Sequence, residues 1–358
     1  MRKSIGVSIC GFALILAVTA LNATAQHPSW AYGFVEMPAP GSVPAAYIPP
    51  PTPVAAAPAA APATGAPAPD RTPLSLPGAT RTFTRIEAND PYGPADWFPG
   101  DHPLPVPDIV AHGRRDDAIN ACGLCHYVGG HGRQENAGIA GLPYDYFVQA
   151  MMDFKNGLRH SADPRKLNTN RMVAFAVAMT DEEIKAAARY YAVIPWTQYI
   201  RVVETKTVPK TRLLNGMFVK LEGTDTEPLG MRIVESPESF ERTEIRDPHS
   251  GFVAYVPIGS IKKGETLVKT GGNGRTTECA ICHGPTLEGL GPVPGIAGRS
   301  PSYIVRQLYD MQVGTRKGVW SSLMKPVVDK LTAEDLVAIA AYTSSLKPAG
   351  SVRQTAAR

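Results

Sequence analysis

The spacing of apolar and polar positions divides the chain into stretches of different character. Residues 5–21 form an uncharged, mainly apolar run behind Arg2 and Lys3, followed by the small residues Ala23-Thr24-Ala25. This order predicts a secretory signal, residues 1–25, cut before Gln26; an anchor helix left in place is the alternative. From Met37 to about Pro77 periodicity dissolves into Ala and Pro. Such composition buries no core and predicts an extended, semi-rigid tether, so residues 26–95 read as tether and N-terminal extension. The aromatic Trp30-Ala31-Tyr32-Gly33-Phe34 ahead of it is either a docking element or an unstructured remnant. Regular structure is expected from about Asp96 and Trp97 onward.

Beyond that point two helical faces stand out, one on Phe147, Ala150, Met151 and Phe154, the other on Ile304, Leu308 and Met311. They belong to an internal repeat. With an offset of 157, residues 138–159 fall on residues 295–316 without a gap, matching at nine of 22 positions. The register then changes to 152, so the first copy carries five extra residues around "RHSADPRKLNTN". Thr180 with Glu183 and Thr332 with Asp335 have the spacing of a capping box, each opening an Ala-rich helix that runs through Tyr190 or Tyr342. Between the copies, "YIRVVETKTV", "GMFVKLEG", "MRIVES" and "GFVAYVP" are short β-type runs punctuated by Gly, Pro and Asp. They predict a small antiparallel β insertion between two helical units.

The cysteines bring the chemistry. Cys10 lies in the signal, and the other four are Cys122, Cys125, Cys279 and Cys282. Each pair is separated by two residues and followed at once by a histidine, His126 or His283. A redox dithiol has no use for that histidine, and zinc held by four cysteines would leave both unexplained. Covalent haem attachment uses every residue of the pattern: the sulfurs form thioethers with the porphyrin and the histidine coordinates iron. Among the ten methionines, Met172 and Met324 alone recur at one distance before a capped helix, which makes them the candidate second axial ligands. Met151, Met152, Met179 and Met311 read as core. His112, His131 and His160 are the rival ligands near the first motif. The net charge is +4 over the whole chain, and removing Arg2 and Lys3 with the signal leaves +2. This is no nucleic-acid surface.

Cys-Gly-Leu-Cys-His and Cys-Ala-Ile-Cys-His, each with a downstream Gly-Ile-Ala-Gly and a Met before the last helix, resemble class I c-type cytochromes. The tandem arrangement resembles the two-haem periplasmic cytochromes, over residues 105–195 and 262–346. The resemblance implies a mainly α fold of two cytochrome c domains, two haem c groups, and iron held between His126 and Met172 and between His283 and Met324. It also implies that each histidine's other ring nitrogen is held by a main-chain carbonyl, from Pro294 in the second copy and from Ala137 in the first. Tyr146, Tyr303, Arg159 and Arg316 recur at matching positions, either to bind haem propionates or simply to pack helices.

The expected layout is cytochrome domains at 96–197 and 262–348, a β-rich connector at 198–261 that packs across the seam between them, and a tail at 349–358. The expected function is that of a periplasmic carrier of single electrons, not an enzyme, between a dehydrogenase and a terminal oxidase or other acceptor. It is expected to have no nucleic-acid partner and no membrane span after signal cleavage. The alternatives, a peroxidase, a sulfur-compound dehydrogenase or a haem sensor, need an open iron or a thiolate ligand; each copy offers a Met, and the chain after the signal has no fifth cysteine.

Overall fold

The computed structural model describes residues 26–39 and 70–348; the signal 1–25, residues 40–69 of the Ala/Pro stretch and the tail 349–358 lie outside the described residues. Helices dominate, and their starts follow local chemistry. At the head of the helix Asp181–Ala192, Thr180 Oγ1 accepts the Glu183 N–H at 3.2 Å and the Glu183 carboxylate accepts the Thr180 N–H at 2.8 Å. Thr332 and Asp335 repeat the exchange at 3.2 and 3.0 Å before Ala333–Ser345. Each box satisfies N–H groups that a helix start would otherwise leave unpaired.

The apolar faces then collapse together. Tyr144–Lys155, Leu167–Ala178 and Asp181–Ala192 close around Phe147, Val173, Ala176, Ile184 and Tyr191. Ser260–Thr270, Pro301–Gln312 and Ala333–Ser345 close around Val268, Val305, Leu331 and Leu336. Gly264 sets the closeness of that second packing: a Cβ there would lie 1.9 Å from the Ala338 carbonyl oxygen, so only glycine admits the approach.

Seven strands lie between these sets: β1 (Ile200–Glu204), β2 (Thr207–Pro209), β3 (Thr211–Leu214), β4 (Met217–Lys220), β5 (Thr226–Pro228), β6 (Val234–Pro237) and β7 (Phe252–Val256). β2 with β5 and β3 with β4 form antiparallel ribbons, as expected. The three-stranded sheet β1-β7-β6 is mixed, because β1 and β7 run parallel. The all-antiparallel expectation fails there for a topological reason. The chain spends residues 205–251 crossing over before it returns beside β1, and a long crossover permits a parallel return that alternating side chains cannot foretell. Ile200, Ile233, Phe252 and Val256 of this region share one core with Val305 and Leu336, so the sheet packs directly on the second helical set.

Ordered structure also begins earlier than composition suggests. Leu76, Ala88 and Ala95 pack with Trp97 and Ile245, and Trp97 Nε1–H donates to the Ile245 carbonyl at 2.8 Å. The aromatic segment is docked: Tyr32, 1% exposed, donates to Asp310 Oδ1 at 2.6 Å, and Arg306 Nη1 donates to the Ala31 carbonyl at 2.6 Å. These segments are too short and Pro-rich to show a period, and long-range partners order them.

Candidate functional site

The first Cys-x-x-Cys-His forms the short helix Cys122–His126. Its imidazole is 8% exposed, and Nδ1 lies 2.8 Å from the Ala137 carbonyl oxygen. A carbonyl only accepts, so the ring proton sits on Nδ1 and Nε2 keeps its lone pair for a metal. Burial lowers the His126 pKa, against the opposing pull of that carbonyl, which favours the neutral, ligating form. The second motif repeats this, with His283 9% exposed and Nδ1 2.8 Å from the Pro294 carbonyl. Alanine and proline therefore serve at the same distance, because the acceptor belongs to the main chain.

Cys122, Cys125, His126 and Met172 line one cleft, with Ile139, Leu142, Phe147, Phe154 and Phe175 among its apolar walls. Met151 and Met179, read as core from the sequence, are buried and also reach this wall. Met172 lies within the helix Leu167–Ala178, ahead of the capped helix Asp181–Ala192. Met324 ends the 3-10 turn Ser321–Met324 and packs, with Cys279, at the margin of the second core. His160 lines the first cleft, but its Nε2 is held 2.9 Å from the Gly157 carbonyl. His131 faces elsewhere, 2.8 Å from the Thr197 hydroxyl, and His112 is exposed, with Nδ1 3.2 Å from the Tyr92 carbonyl.

All four thiols are free. Burial pushes Cys122 up to about 12 and Cys279 up to about 11, with the neighbouring cysteine of each pair adding to the effect. A dithiol catalyst needs the opposite, a depressed thiol pKa. Among the described residues no three His, Cys, Asp or Glu side chains converge as a zinc cage requires. The donor set and the apolar cleft fit covalent haem.

Arg159 and Arg316 each contact a residue of the other copy, which the sequence reading did not foresee. Arg159 Nη2 donates to the Tyr303 hydroxyl at 3.1 Å, and Arg316 Nη2 donates to the Tyr146 hydroxyl at 2.8 Å. Gln307 Oε1 accepts from both guanidinium groups at 2.9 Å. Each arginine thus reaches the tyrosine of the other copy, a crosswise pairing across the seam. Sequence reading also missed Lys166, 5% exposed on the cleft wall; burial, aided by Arg306, pushes its pKa down to about 7. Its one signal was its place in the five-residue insertion of the first copy.

No family model matches the chain. Cytochrome c-554(548) of Halomonas halodenitrificans is 37% identical over 75 residues, which are 21% of this chain and 90% of that protein. Cytochrome c4 of Azotobacter vinelandii is 32% identical over 84 residues, 22% of this chain and only 40% of that relative's length. A protein of Stutzerimonas stutzeri named thiosulfate dehydrogenase electron acceptor is 23% identical over 242 residues, 66% of this chain and 84% of that one. The chain belongs to the class I c-type cytochromes. Its cofactor is haem c, with one attachment motif in each half, and its activity is electron transfer.

Proposed function

We propose that the chain is an exported, periplasmic carrier with two cytochrome domains in tandem, residues 96–197 and 262–348, joined by the connector 198–261. Cys122 and Cys125 would hold one haem and Cys279 and Cys282 the other, with His126 and Met172, and His283 and Met324, as axial pairs. The observation that carries this reading is the repeated histidine geometry: in both copies a buried ring gives its Nδ1–H to a carbonyl 2.8 Å away, leaving Nε2 for iron. Haem, when bound, supplies reversible one-electron exchange, and a thioether ligand favours ferrous iron. The chain's own part is to hold each imidazole in one tautomer, offer sulfur opposite it, and keep water from the first site with Phe147, Phe154 and Phe175.

A periplasmic dehydrogenase is the proposed donor and a terminal oxidase or other acceptor the proposed recipient. The relative named as an electron acceptor of thiosulfate dehydrogenase supports a dehydrogenase of inorganic sulfur compounds in the first role. Carbon monoxide binding tests the ligand set. The reduced holoprotein should not bind it, whereas Met172→Ala and Met324→Ala should each open one haem to it. Met311→Leu, which conserves volume in the core, should leave both closed. Carbon monoxide binding by the unmodified protein would favour a haem enzyme or sensor instead.

A further inference from the structure

A single arginine joins the two loops that anchor the histidines. Arg299 is 5% exposed, and its guanidinium donates to three main-chain carbonyls. Nε donates to Gly295 at 3.3 Å, Nη1 to Gly138 at 2.9 Å and Nη2 to Ala140 at 2.9 Å. Gly295 directly follows Pro294, whose carbonyl holds His283, and Gly138 directly follows Ala137, whose carbonyl holds His126. The two glycines are each other's duplicates at the offset of 157. One side chain therefore binds the same carbonyl in both copies, one residue beyond each imidazole's anchor.

The bridge is built from one side only. At the position of Arg299 the first copy has Leu142. The rest of the seam holds the arginine in place. Its Cζ lies 4.1 Å from the centre of the Trp196 ring. Trp196 in turn closes on Gly138, where a Cβ would lie 2.5 Å from the indole, so only glycine admits the approach. Behind the arginine, Ser344 Oγ donates to its carbonyl at 2.6 Å, and the Gly298 N–H donates to the Thr343 carbonyl at 2.9 Å. Both bonds tie its backbone to the helix Ala333–Ser345.

The charge is kept without an acid. Among the described residues no carboxylate lies within ion-pair distance of Arg299, and only Tyr303 and Tyr146 oppose the effect of burial on it. Burial lowers its pKa to about 10, which leaves it protonated at pH 7. Taking a cation out of water is costly, and an aliphatic residue such as Leu142 would pack a seam without that cost. Packing alone thus does not account for a buried guanidinium shared between these two loops.

We propose that Arg299 is a positioning residue common to both haem sites: it fastens the two histidine-anchoring loops to each other and sets one positive charge beside both. The proposal rests on haem attachment at both motifs with His126 and His283 as ligands, and not on the methionines. Outer partners of a ligating histidine fix its tautomer and direction, and Arg299 fixes the loops that supply those partners. Ferric iron carries one more positive charge than ferrous iron, so a fixed cation nearby favours the reduced state.

The test is spectroelectrochemical titration of the full-length holoprotein, with electron paramagnetic resonance of its oxidised form, for wild type, Arg299→Met and Arg299→Lys. Two haems by mass in the wild type check the underlying reading; without them that reading falls and this one with it. With two haems present, the variants alone decide. Arg299→Met should lower the potential of both one-electron steps, each by about threefold or more in electron affinity. It should also shift the low-spin g values of both haems, which follow the orientation of the axial ligands. Arg299→Lys keeps the charge but, as a compact point donor, cannot span both loops. It should restore most of the potential while both sets of g values stay shifted. A merely structural arginine would lower the melting temperature and leave potentials and g values alone. Unchanged potentials in Arg299→Met, or a shift confined to one haem, would overturn the proposal. Should that variant yield no holoprotein, Arg299→Lys decides: g values displaced at both haems uphold the bridge, and wild-type values refute it.

Discussion

Asp335→Asn should remove a stabilisation whose size and pH window follow from the last helix. The Asp335 carboxylate is fully buried. It accepts the Thr332 N–H at 3.0 Å, pairs with Arg275 Nη1 at 2.7 Å, and has Lys263 Nζ 3.0 Å from its other oxygen. Burial alone would raise its pKa; the Thr332 N–H, Arg275 and Lys263 outweigh burial and pull it from the ordinary 3.8 to about 2. At 1.36 kcal/mol for each tenfold change in proton affinity, that is about 2.5 kcal/mol. A carboxylate with a depressed pKa stabilises the fold fully above its unfolded pKa and loses the effect as pH falls through the folded value. The variant should thus be about 2.5 kcal/mol less stable at pH 7, and the deficit should close between about pH 4 and pH 2. Urea denaturation of the holoprotein, followed by far-UV circular dichroism at a series of pH values, measures it. The corresponding Glu183→Gln change should cost less, about 1 kcal/mol, because that carboxylate is partly exposed and contributes mainly the cap. If the wild type and Asp335→Asn differ by the same amount at pH 7 and pH 2.5, the buried ion pairs do not hold this helix.

Three further outcomes are expected. The denatured, acid-extracted protein should keep the mass of two haems, and a mass for one or none would contradict covalent attachment at both motifs. Gly264→Ala should cost about 1–3 kcal/mol through the clash with Ala338, seen as a lower melting temperature; an unchanged value would mean that the two helices separate freely. A double-mutant cycle on Tyr146→Phe and Arg316→Leu should show a coupling of about 1–3 kcal/mol in unfolding free energy, since the bond is partly buried and charge-assisted; additive effects would show that the crosswise bond contributes nothing.

The sequence by itself determined whatever is local. Cys122, Cys125 and His126 occupy adjacent turns of chain, so their spacing alone declares the attachment chemistry, and the copy at Cys279, Cys282 and His283 declares it twice. Thr180 with Glu183 and Thr332 with Asp335 are three residues apart, within reach of one helical turn, and their helices begin where the spacing says. The carbonyls of Ala137 and Pro294 came from the resemblance to class I cytochromes, and the structure places each 11 residues from its histidine in both copies. The tertiary structure decided what joins distant residues. Whether β7 returns parallel or antiparallel to β1, whether Arg159 reaches a tyrosine of its own copy or of the other, and whether Tyr32 finds Asp310 depend on partners tens to hundreds of residues away. Tyr127 and Arg246 look ordinary in the sequence. Only the fold shows one strained where its duplicate is glycine, and the other buried with its guanidinium on the Leu124 carbonyl, because such contacts arise when separate segments close around one space.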